Sequence, residues 1–224
     1  PFIGLIFYFF FGRDTRKEKL ISRKGFKRLT KYPMMEYQQQ KAFHIPEGQY
    51  QLMHFFRRVN NALPFEGNDL HFYTDGYSMV QALLQAIQRA KHHIHLEYFN
   101  FRNDSIANSL FDILEIKAKE GVEIRAIYDA FGNSSNNRPL KKKHIKEIRE
   151  RGIEIVEFDP LKFPWINHVF HRDHRKIVII DGKIGYTGGM NIADYYITGL
   201  PEIGEWRDMH VRINGKATEY LQDI

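Results

Sequence analysis

Between Leu70 and Phe158 the hydrophobic pattern switches repeatedly between a two-residue and a 3.6-residue period, and no other feature constrains the fold as tightly. Leu70 to Thr74 reads as a strand, followed by a turn at Asp75-Gly76. Val80, Leu83, Leu84 and Ile87 then fall at i, i+3, i+4 and i+7, the stripe of a helix with one buried face. His93 to Phe101 alternates around Ile94, Leu96 and Tyr98 as a strand does. A second helical stripe follows at Ala107, Leu110, Phe111, Leu114 and Ala118, with Asp104 or Ser105 to cap it and Gly121 to stop it. Val122 to Tyr128 reads as a strand, Asn133 to Pro139 as a polar loop, Leu140 to Arg151 as a basic helix ended by Gly152, and Ile153 to Phe158 as a strand. This alternation implies an α/β domain with a mixed, largely parallel sheet flanked by helices. After Pro160 the pattern changes: an irregular stretch holds Pro164, Trp165 and Asn167. Arg175 to Ile180 is then a continuous apolar strand ending at the Asp181-Gly182 turn. Ile184 to Thr187 returns, Gly188-Gly189 closes that strand, and Trp206 to Ile213 supplies another.

Charge is concentrated in one place. Residues 13 to 31 hold nine Lys or Arg against Asp14 and Glu18, while the rest of the 224 residues is close to neutral. A near-neutral body with one basic arm argues against a surface built for nucleic acid. Pro1 to Phe11 is almost wholly apolar. That run is too short to cross a bilayer, which takes about 20 residues. Lys and Arg directly after it fit the cytoplasmic exit of a transmembrane helix, with a buried N-terminal element as the plainer alternative. Residues 1–12 are therefore expected to be the end of a transmembrane segment. A basic juxtamembrane arm and lead-in would occupy 13–66, and the catalytic domain 67–224. No cysteine is present, which excludes disulfides, thiolate metal sites and thiol nucleophiles.

The chemistry is concentrated in His174, Lys176 and Asp181, followed by Gly188, Gly189 and Asn191. On a strand, side chains two apart share a face, so His174 and Lys176 are expected to project together, about 6 to 7 Å apart, with Ile177 and Ile179 on the other face. An ammonium holding a phosphate beside an imidazole that attacks it suits that spacing. The two glycines let the returning backbone approach, and Asn191 adds a neutral donor.

These residues match the HxKxxxxD…GGxN motif of the phospholipase D superfamily. The surrounding text resembles bacterial cardiolipin synthase: IHLEYFNFRND at 94–104, GVEIRAIYDAFGN at 121–133, HRKIVIIDGKIGYTGGMNIADYY at 174–196 and WRDMHVRINGKA at 206–217. The resemblance covers nearly the whole chain, including the apolar-to-basic N-terminus. It implies a phospholipase D-like domain on the cytoplasmic side of the cell membrane. There it would transfer a phosphatidyl group between two phosphatidylglycerol molecules to give cardiolipin and glycerol. His174 would form a phosphohistidine, and Lys176 and Asn191 would hold phosphate oxygens. Asp208 would fix the tautomer of His174, with Glu205 as fallback, and Asp181 would tie its turn. No metal or cofactor is implied, because Lys and His supply charge and proton transfer. The chain departs from the family in having one such motif. The second half-site is expected from a part of the protein missing here or from a dimer mate, and the 224 residues alone are expected to be inactive.

Other features are weighed against plainer readings. His168, His171 and His174 are spaced by three, but Pro164 opposes a helix that would align them on a metal, and His171 is expected at the pocket entrance. Glu97, inside an apolar strand, needs a partner or a pocket and is held as a site residue. The basic helix at 140–151 is ordinarily a solvated face, with anionic lipid headgroups as the alternative. Two rival functions remain: a single-motif nuclease of the same superfamily working as a dimer, and a binding module without activity. The membrane-exit pattern disfavours the first, and the intact motif the second.

Overall fold

The computed structural model of the chain describes residues 2–11, 48–60, 64–160, 172–202 and 204–222. The basic arm, Pro164, Trp165, His168 and His171 lie outside those residues. Among the described residues, two helices come first, α1 (Phe2–Phe11) and α2 (Tyr50–Asn60). The domain then runs β1 (Asp69–Tyr73), α3 (Gly76–Gln88), β2 (His93–Tyr98), α4 (Ser105–Lys119) and β3 (Glu123–Asp129). It continues through α5 (Ala130–Ser135), α6 (Lys142–Glu150), β4 (Glu154–Phe158), β5 (Lys176–Ile180) and β6 (Ile184–Gly188). It ends with α7 (Tyr195–Thr198), β7 (His210–Asn214) and α8 (Ala217–Gln222). No helix among the described residues is long and apolar enough to cross a membrane; α1 is ten residues without a charge.

The strands form one mixed sheet in the order β1-β7-β6-β5-β2-β3-β4. Its parallel part is smaller than the strand-helix alternation implies, being confined to β2, β3 and β4. Helical crossovers force parallel neighbours only there. A tight turn joins β5 to β6, β7 returns beside β6, and these pairs are antiparallel. β5 also meets β2 antiparallel. β1 does not join β2 across α3 but forms the far edge, pairing with β7 from Asp69↔Asn214 to Tyr73↔His210.

Helices α3, α4 and α6 cover one face. Ile94, Leu96 and Tyr98 of β2 point into it and pack with Met79, Leu83 and Ile87 of α3, Leu110 and Leu114 of α4, and Ile145 and Ile148 of α6. Each such side chain stabilises the fold by about 1.5 to 3 kcal/mol. Asp75 and Asp104 cap α3 and α4 by accepting from the Ser78 and Ala107 N–H groups. Gly121 and Gly152 adopt φ of 87° and 86° where α4 and α6 end, a conformation that disfavours a side chain. On the other face Ile177 and Ile179 are buried, and α8 sets Leu221 and Thr218 against Gly185. The basic helix α6 spends much of its charge on exposed ion pairs, Lys143–Glu147, Lys146–Glu150 and Arg151–Asp112, as a solvated face does. The expected loop at 133–139 begins instead inside α5. That helix forms because Asp129 accepts from the Phe131 and Gly132 N–H groups, each at 2.9 Å.

Candidate active site

The register places one row of residues across five strands: Tyr98, Lys176, Gly188, His210 and Tyr73. Lys176, at the start of β5, is only 3% exposed. Its Nζ donates to the His174 carbonyl at 2.7 Å and lies 5.2 Å from the centre of the Phe99 ring. Burial pushes its pKa down to about 8, opposed by the carboxylates of Asp173 and Asp208. His174 sits just before the strand, and its ring lies 4.7 Å from the same Phe99 ring. Phe99 thus has the imidazole and the ammonium as neighbours, which is how the two meet although His174 precedes the strand. Burial lowers the His174 pKa, and Lys176 lowers it further against Asp129 and Asp173. The imidazole is therefore unprotonated at neutral pH, the form that attacks phosphorus.

The segment carrying His174 is held by a residue that the sequence pattern did not single out. Asp129 is fully buried at the end of β3. Its Oδ2 accepts from the Asp173 N–H at 2.8 Å, and its Oδ1 accepts from Arg172 at 3.3 Å besides capping α5. Arg172 also donates to Asp159 at 3.1 Å. Asp129 closes an apolar strand, and a buried carboxylate there demands partners, so the signal was the one that drew attention to Glu97.

The motif glycines give room to β7 and the residues just before it rather than bend the turn; neither has a positive φ. A Cβ on Gly189 would stand 2.0 Å from Asp208 Oδ1, and one on Gly188 would stand 2.7 Å from His210 Nδ1. Asp208 therefore lies flat on Gly189, where its charge acts on Lys176 and His210. Asn191 is buried; its amide donates to the Tyr196 hydroxyl at 3.0 Å, and Tyr196 packs edge-on against Trp206. Asn191 Oδ1, the Tyr98 hydroxyl and both His210 ring nitrogens are buried without a hydrogen-bond partner among the described residues. Of these groups, the His210 ring is the one that feels the charge of Lys176.

Three expected residues stand apart. Asp181 is at the opposite end of β5, about 17 Å along the strand from Lys176. It accepts from the Lys91, His92 and His93 N–H groups at 2.9, 2.7 and 3.0 Å. Burial raises its pKa, but those three hydrogen bonds prevail and hold it below the usual carboxylate range. Glu97 lies on the face opposite Lys176, beside Ile177, where Arg175 donates to it at 3.2 Å. Burial and Asp173 push it up to about 7. Glu97 thus supports the 173–175 segment from behind. Glu205 is exposed, next to the Leu200–Gly204 bridge.

Residues 83–206 match the family model described as "Cardiolipin synthase, PLD-like domain". The chain is 38% identical over its whole length to a cardiolipin synthase of Alkalihalophilus pseudofirmus, covering 45% of that protein. It is 39% identical over 99% of its length to the major cardiolipin synthase of Bacillus subtilis, covering 47% of that one. The chain thus spans about half the length of these curated relatives. Among solved structures, the phosphatidylserine synthase of Haemophilus influenzae superposes with a TM-score of 0.54 at 13% identity, over 69% of this chain and 35% of that one. NucT of Helicobacter pylori superposes at 0.52 and 14% identity, over 70% and 91%. At such identities these two establish the fold alone.

Proposed function

Because the chain belongs to the family of phospholipase D-like domains of cardiolipin synthase, we propose that it supplies one half of a phosphatidyl-transfer site acting on phosphatidylglycerol. The observation that carries this reading is the meeting of His174 and Lys176 at Phe99, one unprotonated and one a buried cation. The His174 imidazole attacks the phosphorus of one phosphatidylglycerol, a P–N bond forms, and the P–O bond to the headgroup glycerol breaks. A histidine of the second half-site gives the leaving alkoxide its proton. It then removes the proton from the hydroxyl of a second phosphatidylglycerol, whose oxygen attacks phosphorus and releases His174 with cardiolipin formed. Lys176 and Asn191 stabilise the charge that builds on the phosphate oxygens, and the glycines 188 and 189 leave room for the carboxylate of Asp208. Asp208 is the carboxylate the resemblance assigns to orienting His174, although in the present geometry its charge reaches Lys176 and His210. Asp129 and Asp173 are the carboxylates whose charge reaches the His174 ring there. The second half-site comes from the remainder of the protein or from a dimer mate. The enzyme works at the cell membrane from the cytoplasmic side, with the uncharged helix α1 and the basic arm as its membrane-facing end.

The test is product analysis by mass spectrometry after the full-length protein meets phosphatidylglycerol vesicles and, separately, single-stranded DNA. Cardiolipin with an equivalent of glycerol is expected. Cut DNA with untouched lipid would keep the phosphohistidine chemistry and overturn the substrate.

A further inference from the structure

His210 is 2% exposed, yet neither ring nitrogen has a hydrogen-bond partner among the described residues. An imidazole always carries at least one N–H, and leaving two ring positions unpaired in the interior costs about 1 to 3 kcal/mol for each. Packing alone does not explain the choice, since an apolar side chain of the same size would fill the space without that cost. Its location is specific. His210 lies in the row with Lys176, separated from it by Gly188, which contributes no side chain. The ring leans into that opening, its Nδ1 2.7 Å from where a Gly188 Cβ would be. The charged groups acting on it are Asp208, from the segment just before its strand, and Lys176, from β5. Among the described residues, β6 brings Gly188 beside the ring and β1 brings Tyr73, and no helix adds a charge that reaches it.

We propose that His210 is a positioning residue: a neutral imidazole in the space left by Gly188 that accepts from the Lys176 ammonium through one nitrogen and donates to the Asp208 carboxylate through the other when a phosphate group occupies the site. A neutral ring can serve both partners at once, whereas an imidazolium has no acceptor and would repel the lysine. Burial and Lys176 keep His210 in that form, with its pKa pushed down to about 4. The effect is to keep Lys176, whose ammonium burial destabilises, charged and aimed at the phosphate. This assignment deepens the phosphatidyl-transfer reading and rests on it for the reaction, but the electrostatic part is measurable without turnover.

The experiment uses the full-length protein, wild type beside His210→Met and His210→Gln. Methionine keeps the volume and removes both polar functions; glutamine keeps one donor and one acceptor. Sulfate, a dianion throughout the range, is titrated from pH 6 to 10 as a probe of the Lys176 site, and initial rates on phosphatidylglycerol vesicles are taken in parallel. The alkaline limb of sulfate affinity is expected to move to lower pH by about half a unit or more in His210→Met, roughly a threefold loss of bound sulfate above the limb. The vesicle rate should fall through kcat with KM little changed. His210→Gln should restore both. If His210→Met loses its thermal transition, His210→Leu, apolar and close to the imidazole in size, takes its place with the same expectation. An unshifted limb in a folded apolar variant, or a glutamine variant that behaves like methionine, would reduce His210 to a space-filling residue. A shifted limb with no cardiolipin formed even by wild type would leave this assignment standing and sink the substrate reading.

Discussion

Lys176 and His174 must hold opposite protonation states, and their surroundings open a window for both. The His174 pKa is lowered from its ordinary value, so the nucleophile is available from below pH 6.5 upward. Lys176, at about 8, keeps its charge below that pH and loses it above. Turnover of the full-length enzyme is therefore expected to rise on the acid side and fall through about pH 8. A rate still climbing at pH 9.5 would contradict the buried-ammonium argument. His210 adds a stability term of definite sign. Its folded pKa is depressed from 6.5 to about 4, so the fold binds a proton less readily than the unfolded chain. Stability is intact above pH 6.5 and falls as the pH drops through about 4, by up to about 3 kcal/mol. Urea midpoints at pH 7 and pH 4 should show a smaller acid loss in His210→Gln than in wild type. Asp181 and His174 separate the two roles within the motif. Asp181→Asn turns an amide toward backbone N–H groups and is expected to cost about 1 to 3 kcal/mol, lowering Tm while sparing the chemistry of the molecules that remain folded. His174→Ala should leave Tm near wild type and abolish cardiolipin formation.

The elements show which parts of this were legible in the pattern of residues. β2, α3 and α4 appear where their periods place them, because alternation and helical stripes report burial directly: Ile94, Leu96 and Tyr98 point inward, as do Leu83 and Ile87. The cap left open between Asp104 and Ser105 falls to Asp104. Sheet order was less legible, since β1 skips its sequence neighbour to pair with β7, and no local period encodes which edge a strand joins. The shape of the site was half legible. HxK spacing predicts a nucleophile and a cation, but the roles of Gly188 and Gly189 depend on His210 and Asp208, about twenty residues away, and Asp129 lies over forty residues from the backbone it holds. At this scale a methyl group is a sharp probe. Gly189→Ala would push against the Asp208 carboxylate from 2.0 Å. The shift of β7 should cost at least about a hundredfold in rate, as ångström misplacements do. An alanine variant with more than a tenth of wild-type activity would show that the carboxylate is free to move away.

At the scale of the whole molecule the proposed reaction needs two half-sites, and the sequence carries one HxKxxxxD motif. The 224 residues alone are expected to give little or no cardiolipin from phosphatidylglycerol vesicles, and mixing with the separately produced remainder of the protein should restore turnover. A clear multiple-turnover rate from the monomeric chain would mean that the protonating histidine is dispensable.

The pairing of β1 with β7 also sets a timetable for synthesis. Tyr73 leaves the ribosome long before its partner His210, and at about 5 to 20 residues per second the delay is on the order of ten seconds. During that interval β2, β3 and β4 with their crossover helices can assemble, because every strand they need is already made. β1 cannot, and Tyr73, the residue of β1 that the finished sheet buries, waits in water. If the N-terminal end is already seated at a membrane, β1 waits close to that surface, and the nascent chain is held from both sides. Chains released before His210 would then carry a strand with no partner in the sheet, the species that proteases and chaperones have to meet.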